Sequence, residues 1–221
     1  MAVSSNWVSK PVTDTIFTNI VNEFATFDIN EGPWIAGGAV RKLWQGLSWN
    51  DGDIDIFFKN KEQFIQFSSK LKARAYQDNR AALSALDFDS KFISKNLYIN
   101  SFDTSNASTF TITGLPWIDR QIKIQGICKQ FYNSAENLVE DFDWTVCQIV
   151  SDGTTMWASI NAVDDLLKHN LVLSSTTKRK IKIGRLIKYS AYGFNINDET
   201  MINVLSEIAI GNIESLIDDD Y

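Results

Sequence analysis

Cysteine is scarce in this sequence. Two cysteines, Cys128 and Cys147, occur among 221 residues. So few cysteines exclude the disulfide framework on which small secreted domains depend, and we expect a reducing, cytoplasmic setting. Long apolar runs are absent as well, so the sequence predicts no membrane-spanning helix. Residues 1–7 also lack the basic and apolar regions that are typical of a signal peptide.

Basic residues are also fewer than acidic ones. The chain has 21 Lys and Arg against 27 Asp and Glu, which gives a formal net charge of −6. This balance argues against a broadly basic surface of the kind that coats nucleic acid, but it leaves room for a local basic groove. A hydrophobic content of 44% with 22% charged residues is ordinary for a globular protein. The length suffices for one compact domain, or for a main domain with a small helical annex.

The most informative segment begins at residues 37–41, which read Gly-Gly-Ala-Val-Arg. Apolar residues precede this segment, and Asp53 and Asp55 open the next apolar stretch. The pattern predicts a strand, a Gly-Gly turn, a helix and a second strand. Because side chains alternate along a strand, we expect the two carboxylates on one face. Two carboxylates that lie so close together repel each other, and they are tolerated when a divalent cation lies between them and substrate oxygens.

The glycine pair suggests an anion site beside these carboxylates. Backbone N–H groups at a helix start favour a phosphate, so Gly37 and Gly38 are predicted to bind one. The alternative is a plain turn that needs positive φ. Arg41 could reach a triphosphate or pair with Asp51. Phosphoryl transfer requires a phosphate-binding site next to a metal-binding site.

The string Gly-Gly-x-Val-Arg followed by Asp-x-Asp resembles the signature of the DNA polymerase β-like nucleotidyltransferase superfamily. The resemblance is closest to the head and neck part of bacterial-type CCA-adding enzymes and poly(A) polymerases. Residues 143–146 (Asp-Trp-Thr-Val) resemble that family's Arg-Arg-Asp-Phe-Thr-Ile-Asn strand. Residues 162–168 resemble its Gly-Gly-x-x-Asp-Leu helix, and residues 185–196 resemble its arginine-rich helix that ends in Gly-Phe.

The resemblance implies an α+β fold. Residues 1–159 would form a polymerase β-like catalytic domain with a mixed sheet, and residues 160–221 a small all-helical domain. The implied function is a magnesium-dependent nucleotidyltransferase, which moves a nucleoside monophosphate from a nucleoside triphosphate to a hydroxyl, preferably an RNA 3′ end, and releases pyrophosphate. Asp53 and Asp55 would be the catalytic residues and hold two Mg²⁺ ions. The predicted nucleotide contacts are Gly37, Gly38, Arg41, Asp143, Lys182 and Arg185.

Two departures from the family pattern leave alternatives open. The strand expected to carry a third carboxylate has Lys123 and Gln125 instead. The segment expected to select the base reads Lys-Arg-Lys-Ile-Lys at residues 178–182, which offers donors only at its charged positions. The base that the chain would use is therefore open, and it is not expected to build CCA ends. The acceptor could also be a protein or a small molecule, and the missing third carboxylate favours a further alternative, an impaired nucleotide-binding module. The basic stripe that includes Lys182, Arg185 and Lys188 could equally be a solvated helix face.

Hydrophobic periodicity supplies the remaining secondary structure. We predict helices at residues 14–27, 39–47, 61–76, 80–86, 162–169, 178–192 and 198–210. We predict further strands at residues 92–102, 108–113, 121–127, 144–150 and 154–159.

Overall fold

A computed structural model gives the structure of the protein and describes residues 6–50, 52–85, 98–115, 118–175, 181–209 and 213–214. Eight strands form one mixed sheet in the order β1-β8-β7-β2-β3-β6-β5-β4. These strands are β1 (Trp7–Pro11), β2 (Trp34–Ala36), β3 (Ile54–Phe57), β4 (Tyr98–Asp103), β5 (Ala107–Thr113), β6 (Ile122–Ile127), β7 (Ile149–Ser151) and β8 (Thr155–Ser159). Two short strands, β9 (Ile181–Lys182) and β10 (Ile213–Glu214), pair with each other in parallel.

Helices accompany this sheet. They are α1 (Thr15–Phe24), α2 (Gly38–Trp44), α3 (Lys61–Ala85), α4 (Ala135–Glu140), α5 (Ile160–Lys168), α6 (Ile183–Ala191) and α7 (Asp198–Ala209). Helix α1 shows why such segments form. Asp14 caps its N-terminus by accepting a hydrogen bond from the Phe17 N–H at 2.9 Å. Its buried residues Phe17, Ile20, Val21 and Phe24 recur at helical spacing, so one face packs into the core.

The centre of the sheet positions the candidate site. Strand β3 is buried along its whole length and pairs with β2 on one side and β6 on the other. The β3–β6 pair is parallel, with Asp55 opposite Gln125. Large side chains such as Trp34, Phe57 and Phe110 are fully buried around it. This packing makes the register of the central strands hard to shift, because a one-residue slip would move every side chain to the opposite face of the sheet.

The α+β class is consistent with this structure, but the prediction of a polymerase β-like nucleotidyltransferase domain followed by an all-helical domain is wrong. The described residues form an eight-stranded mixed sheet with helices, which is not clearly a polymerase β-like nucleotidyltransferase fold. The all-helical description of residues 160–221 is wrong too, because β9 and β10 lie there. The physical reason is that a short motif specifies one strand–turn–helix–strand unit and leaves the order of the other strands open. The division at residue 159 stays a prediction.

Several local predictions need correction. Residues 144–150 were expected to form one strand, but residues Thr145–Cys147 form a short 3-10 helix before β7 begins. Strand β1 was not predicted at all and pairs with β8 at the sheet edge. The helix expected at residues 178–192 begins only at Ile183, and residues 178–180 lie outside the described part. In the part of the chain that the structure describes, no helix is long and apolar enough to cross a membrane.

Candidate ligand-binding cleft

A cavity of about 300 Å³ lies where α2, β3, β6 and α6 meet, and we call it the cleft. We divide its lining into two walls. The β3–β6 wall consists of Asp53, Asp55, Lys123 and Gln125. The α2–α6 wall consists of Arg41, Lys42, Arg185, Lys188, Tyr189 and Tyr192. The lining therefore holds five cationic side chains and two carboxylates, although the chain as a whole is acidic.

The β3–β6 wall follows from the parallel register of its two strands. Asp55 lies opposite Gln125, and alternation places residues 53 and 123 on the same face. Gln125 Nε2 donates a hydrogen bond to Asp53 Oδ2 at 3.0 Å. Lys123 Nζ lies 3.9 Å from Asp53 Oδ1. Both oxygens of Asp53 thus face hydrogen-bond donors.

The predicted metal site is not supported by this arrangement. Two carboxylates do line the cleft, as the Asp-x-Asp spacing indicated, but their neighbours are an ammonium and an amide N–H group. A lysine ammonium has three donors and no acceptor, so it cannot be a metal ligand. Among the described residues, no group of three or more His, Cys, Asp or Glu side chains could hold a metal ion. The prediction that Asp53 and Asp55 form a metal site therefore has no support among the described residues.

Gly37 and Gly38 occupy the entrance to helix α2 and differ in what they require. Gly37 has φ +85° and ψ −153°, and a Cβ atom there would lie 2.5 Å from Asp55 Oδ2. Glycine is needed at this position for the turn and for the close approach of Asp55. A Cβ atom on Gly38 would meet no described atom within 4 Å. Both glycines line the cleft, and their phosphate-binding role stays a prediction.

Arg41 is the most unusual side chain of the cleft. It is only 3% exposed, yet it makes no ion pair with any residue that the structure describes. Its Nη1 group donates to Gln45 Oε1 at 2.7 Å, and its Nε has no hydrogen-bond partner in the described part. The guanidinium carbon lies 5.4 to 5.7 Å from the ring centroids of Tyr189, Tyr192 and Phe194. The alternative pairing with Asp51 falls outside the described residues.

Helix α6 is attached to the core by a buried ion pair. Arg185 Nη1 donates to Asp143 Oδ1 at 3.1 Å, and the Asp143 side chain is only 1% exposed. Asp143 was predicted to contact a nucleotide, but it does not line the cleft and instead holds Arg185, which does. Lys182 lies in β9 rather than in a helix, and its side chain lies outside the described part.

A second contact joins α6 to the same region. Cys147 Sγ lies 2.9 Å from Tyr189 Oη, and both groups are buried. Burial, with the nearby Asp143 carboxylate, raises the pKa of the Cys147 thiol. Burial and the neighbouring Cys147 also raise the pKa of the Tyr189 hydroxyl well above its usual value. Both groups are neutral near pH 7, so the charge of the cleft comes from its lysine, arginine and aspartate side chains.

Sequence reasoning did not single out four of the lining residues. Lys42 follows Arg41 directly in the motif, and Lys123 was noted only as a replacement for a carboxylate. Tyr189 and Tyr192 lie three residues apart, the spacing that puts both on one helix face. That spacing was the available signal for an aromatic surface beside the cleft.

Comparison with known proteins decides the family. Residues 11–170 match the family described as Gabija anti-defense 2 family protein. The chain belongs to this family. It is similar to "Gabija anti-defense 2" from Bacillus phage SPbetaL7, with 27% identity over 192 residues that cover 83% of this chain. The chain spans about 40% of the length of that curated relative. The β3–β6 wall and Arg41 fall within the family match, whereas α6 lies beyond it.

Membership of the Gabija anti-defense 2 family corrects the earlier identification. The resemblance to CCA-adding enzymes and poly(A) polymerases led to the wrong family. The predicted function, nucleotidyl transfer to RNA or to another acceptor, and the enzyme class that went with it, have no support in these findings. These findings also give no support to the implied likeness to transfer-RNA nucleotidyltransferases. A signature of six specified residues describes local chemistry, and Lys123 and Gln125 stand where the wider family pattern has a carboxylate.

Proposed function

We propose that this chain counteracts the Gabija defence of a bacterial host, and that it does so through a cleft that binds a nucleoside triphosphate. The family match over residues 11–170 supports the first part. The second part rests on one observation, the buried Arg41 guanidinium without a described counter-charge.

Burial of a charge without an ion partner is energetically unfavourable. The effective penalty for an unpaired ion in a protein is on the order of several kcal/mol. The three aromatic rings around Arg41 offset part of it, because each cation–π contact contributes roughly 0.5–2 kcal/mol. An anion bound in the cleft would supply a counter-charge for Arg41, so the lining of the cleft suits an anionic ligand.

The surrounding groups favour phosphate as that anion. A guanidinium forms paired hydrogen bonds with phosphate oxygens, and lysine ammonium groups add point charges. Lys42, Lys123 and Lys188 line the same cavity as Arg41. Several cations around one small space suit a ligand that carries several negative charges.

An aromatic surface in the cleft suits the other end of a nucleotide. Tyr192 lines the cavity, and 47% of this residue is exposed. A nucleobase that stacks on an aromatic ring gains about 1–3 kcal/mol. The cavity of about 300 Å³ also lies at the small end of the range for ligand pockets, which is about 300–1,000 Å³. A nucleoside triphosphate combines the required polyphosphate with an aromatic base.

A plating assay tests the proposal in cells. Bacteria that carry the Gabija defence would express this chain and be infected with a phage that the defence restricts. We expect the chain to raise the efficiency of plating toward that of cells without the defence. The Arg41→Met variant keeps an apolar stem but loses the charge, and we expect it to lose the effect.

The control is Lys168→Met, which removes an exposed cation of helix α5 that pairs with Asp164 and does not line the cleft. This variant should protect the phage as well as the wild type does. No rise in plating with the wild-type chain would overturn the anti-defence part. Full protection by a folded Arg41→Met variant would overturn the role of the cleft.

A further inference from the structure

We propose that the cleft binds its phosphate-bearing ligand without a divalent cation, and that the Lys123 ammonium supplies the positive charge that a metal ion would otherwise place beside Asp53. This inference rests on the proposed function and specifies the chemistry of the same site. It starts from the disagreement between the Asp-x-Asp pattern and the groups that surround it.

The first step is the chemistry of the β3–β6 wall. Asp53 Oδ2 accepts a hydrogen bond from Gln125 Nε2 at 3.0 Å, and Asp53 Oδ1 lies 3.9 Å from Lys123 Nζ. Magnesium requires oxygen ligands in nearly octahedral geometry at about 2.0–2.1 Å. The Gln125 amide N–H group and the Lys123 ammonium, which lie next to the two Asp53 oxygens, are hydrogen-bond donors and are not oxygen ligands for magnesium. The Lys123 side chain is 54% exposed, and an ammonium at this distance also repels a divalent cation.

The second step is that this wall is held in place by the backbone. The parallel register pairs Asp55 with Gln125, and strand alternation brings residue 123 to the same face as residue 53. Both strands are central in the sheet, where β6 has β3 on one side and β5 on the other. The pairing of β3 with β6 therefore places Lys123 and Gln125 in the wall.

The third step is the charge balance that a polyphosphate would meet. Asp53 and Asp55 alone would repel it, and in many nucleotide sites a metal ion removes that repulsion. Here Lys123 faces Asp53, and Arg41, Lys42 and Lys188 lie around the same cavity. These cations can neutralise a polyphosphate directly.

Calorimetric titration of ATP in EDTA and in Mg²⁺ tests the inference. We expect binding in EDTA, with a Kd that is not improved by Mg²⁺. Lys123→Gln should weaken the binding in EDTA about tenfold, as loss of one close charge contact does. The matched control is Lys129→Gln, an exposed lysine that does not line the cleft, and its Kd should equal that of the wild type.

The outcomes separate this inference from the proposed function. Binding that occurs only with Mg²⁺ would overturn the metal-free mode and leave the nucleotide cleft intact. No binding in either buffer would overturn both.

Direct binding of Mn²⁺, followed by water-proton relaxation, gives a readout that does not involve the nucleotide. We expect the wild type to bind Mn²⁺ more weakly than a Lys123→Asn, Gln125→Asp double variant. That variant removes the ammonium and adds a third carboxylate. Mn²⁺ binding by the wild type as tight as by the double variant would contradict the inference, whatever ATP does.

Discussion

Replacement of Gly37 by alanine tests how the turn before α2 holds the β3–β6 wall of the cleft. Gly37 has φ +85° and ψ −153°, a combination that is available almost only to glycine. An alanine Cβ there would lie 2.5 Å from Asp55 Oδ2, so the carboxylate would have to move as well. Asp55 is only 8% exposed, which leaves it little room to do so.

The magnitude follows from the backbone conformation. A non-glycine residue in such a region costs about 1–3 kcal/mol. For a chain of this size, about 1 kcal/mol changes Tm by roughly 2–4 °C. We therefore expect Gly37→Ala to lower Tm by roughly 2–12 °C, and displacement of Asp55 would move the change toward the upper end of this range.

Gly38→Ala is the matched control for the stability measurement. A Cβ on Gly38 meets no described atom within 4 Å, and φ at this residue is not positive. Alanine at the start of a helix should leave the free energy of unfolding unchanged or raise it by up to about 1 kcal/mol. Urea denaturation of both variants checks the contrast. Equal stability of Gly37→Ala and the wild type would refute the reasoning about this turn.

Three further outcomes can be checked. Gly38→Ala should weaken ATP binding in calorimetry, because Gly38 lines the cleft and a Cβ there would occupy open space beside the backbone; an unchanged Kd would contradict phosphate binding at Gly38. Asp143→Ala should lower the free energy of unfolding by about 3 kcal/mol in urea, because it removes the buried carboxylate of the Arg185–Asp143 ion pair; a loss below about 1 kcal/mol would contradict this. Burial raises the pKa of Asp165, so its ionisation disfavours the folded state: the stability that it contributes is complete at low pH and is lost as pH rises from the unfolded pKa through the folded one. The stability of Asp165→Asn relative to the wild type should therefore increase with pH across that window, and a pH-independent difference would count against it.

Local structure was largely accessible from the sequence. The strand–turn–helix–strand unit was predicted from residues 34–58 and is confirmed as β2, α2 and β3. The apolar spacing of α1 also identified it correctly. These elements depend on neighbours in the chain, which a pattern can report.

The pairing of strands that are distant in the sequence could not be predicted from local patterns. The edge strand β1 is defined by its partner β8, which lies more than a hundred residues away in the chain. The apolar residues at 145–147 fit a strand by pattern, but a hydrogen bond from the Thr145 N–H to the Val172 carbonyl accompanies a short helical turn. The meeting of Asp53 with Lys123 likewise depends on the β3–β6 register.

The functional error has a related cause. The Gly-Gly and Asp-x-Asp residues do meet in one cleft, so the motif located the candidate site. It did not reveal the donors that face Asp53 or the aromatic rings around Arg41. Those neighbours set the chemistry of the cleft, and the family match places the chain in the Gabija anti-defense 2 family.

Calorimetric titration of ATP into the wild type, Arg41→Met and Lys168→Met tests the central claim most directly. We expect Arg41→Met to raise the Kd about 10- to 100-fold, because a charge-assisted hydrogen bond contributes roughly 1.5–3 kcal/mol. Its free energy of unfolding without ligand should not fall, since the variant removes a buried charge that has no ion partner among the described residues. Lys168→Met should bind as the wild type does. A stable Arg41→Met protein that binds ATP with the wild-type Kd would contradict the account.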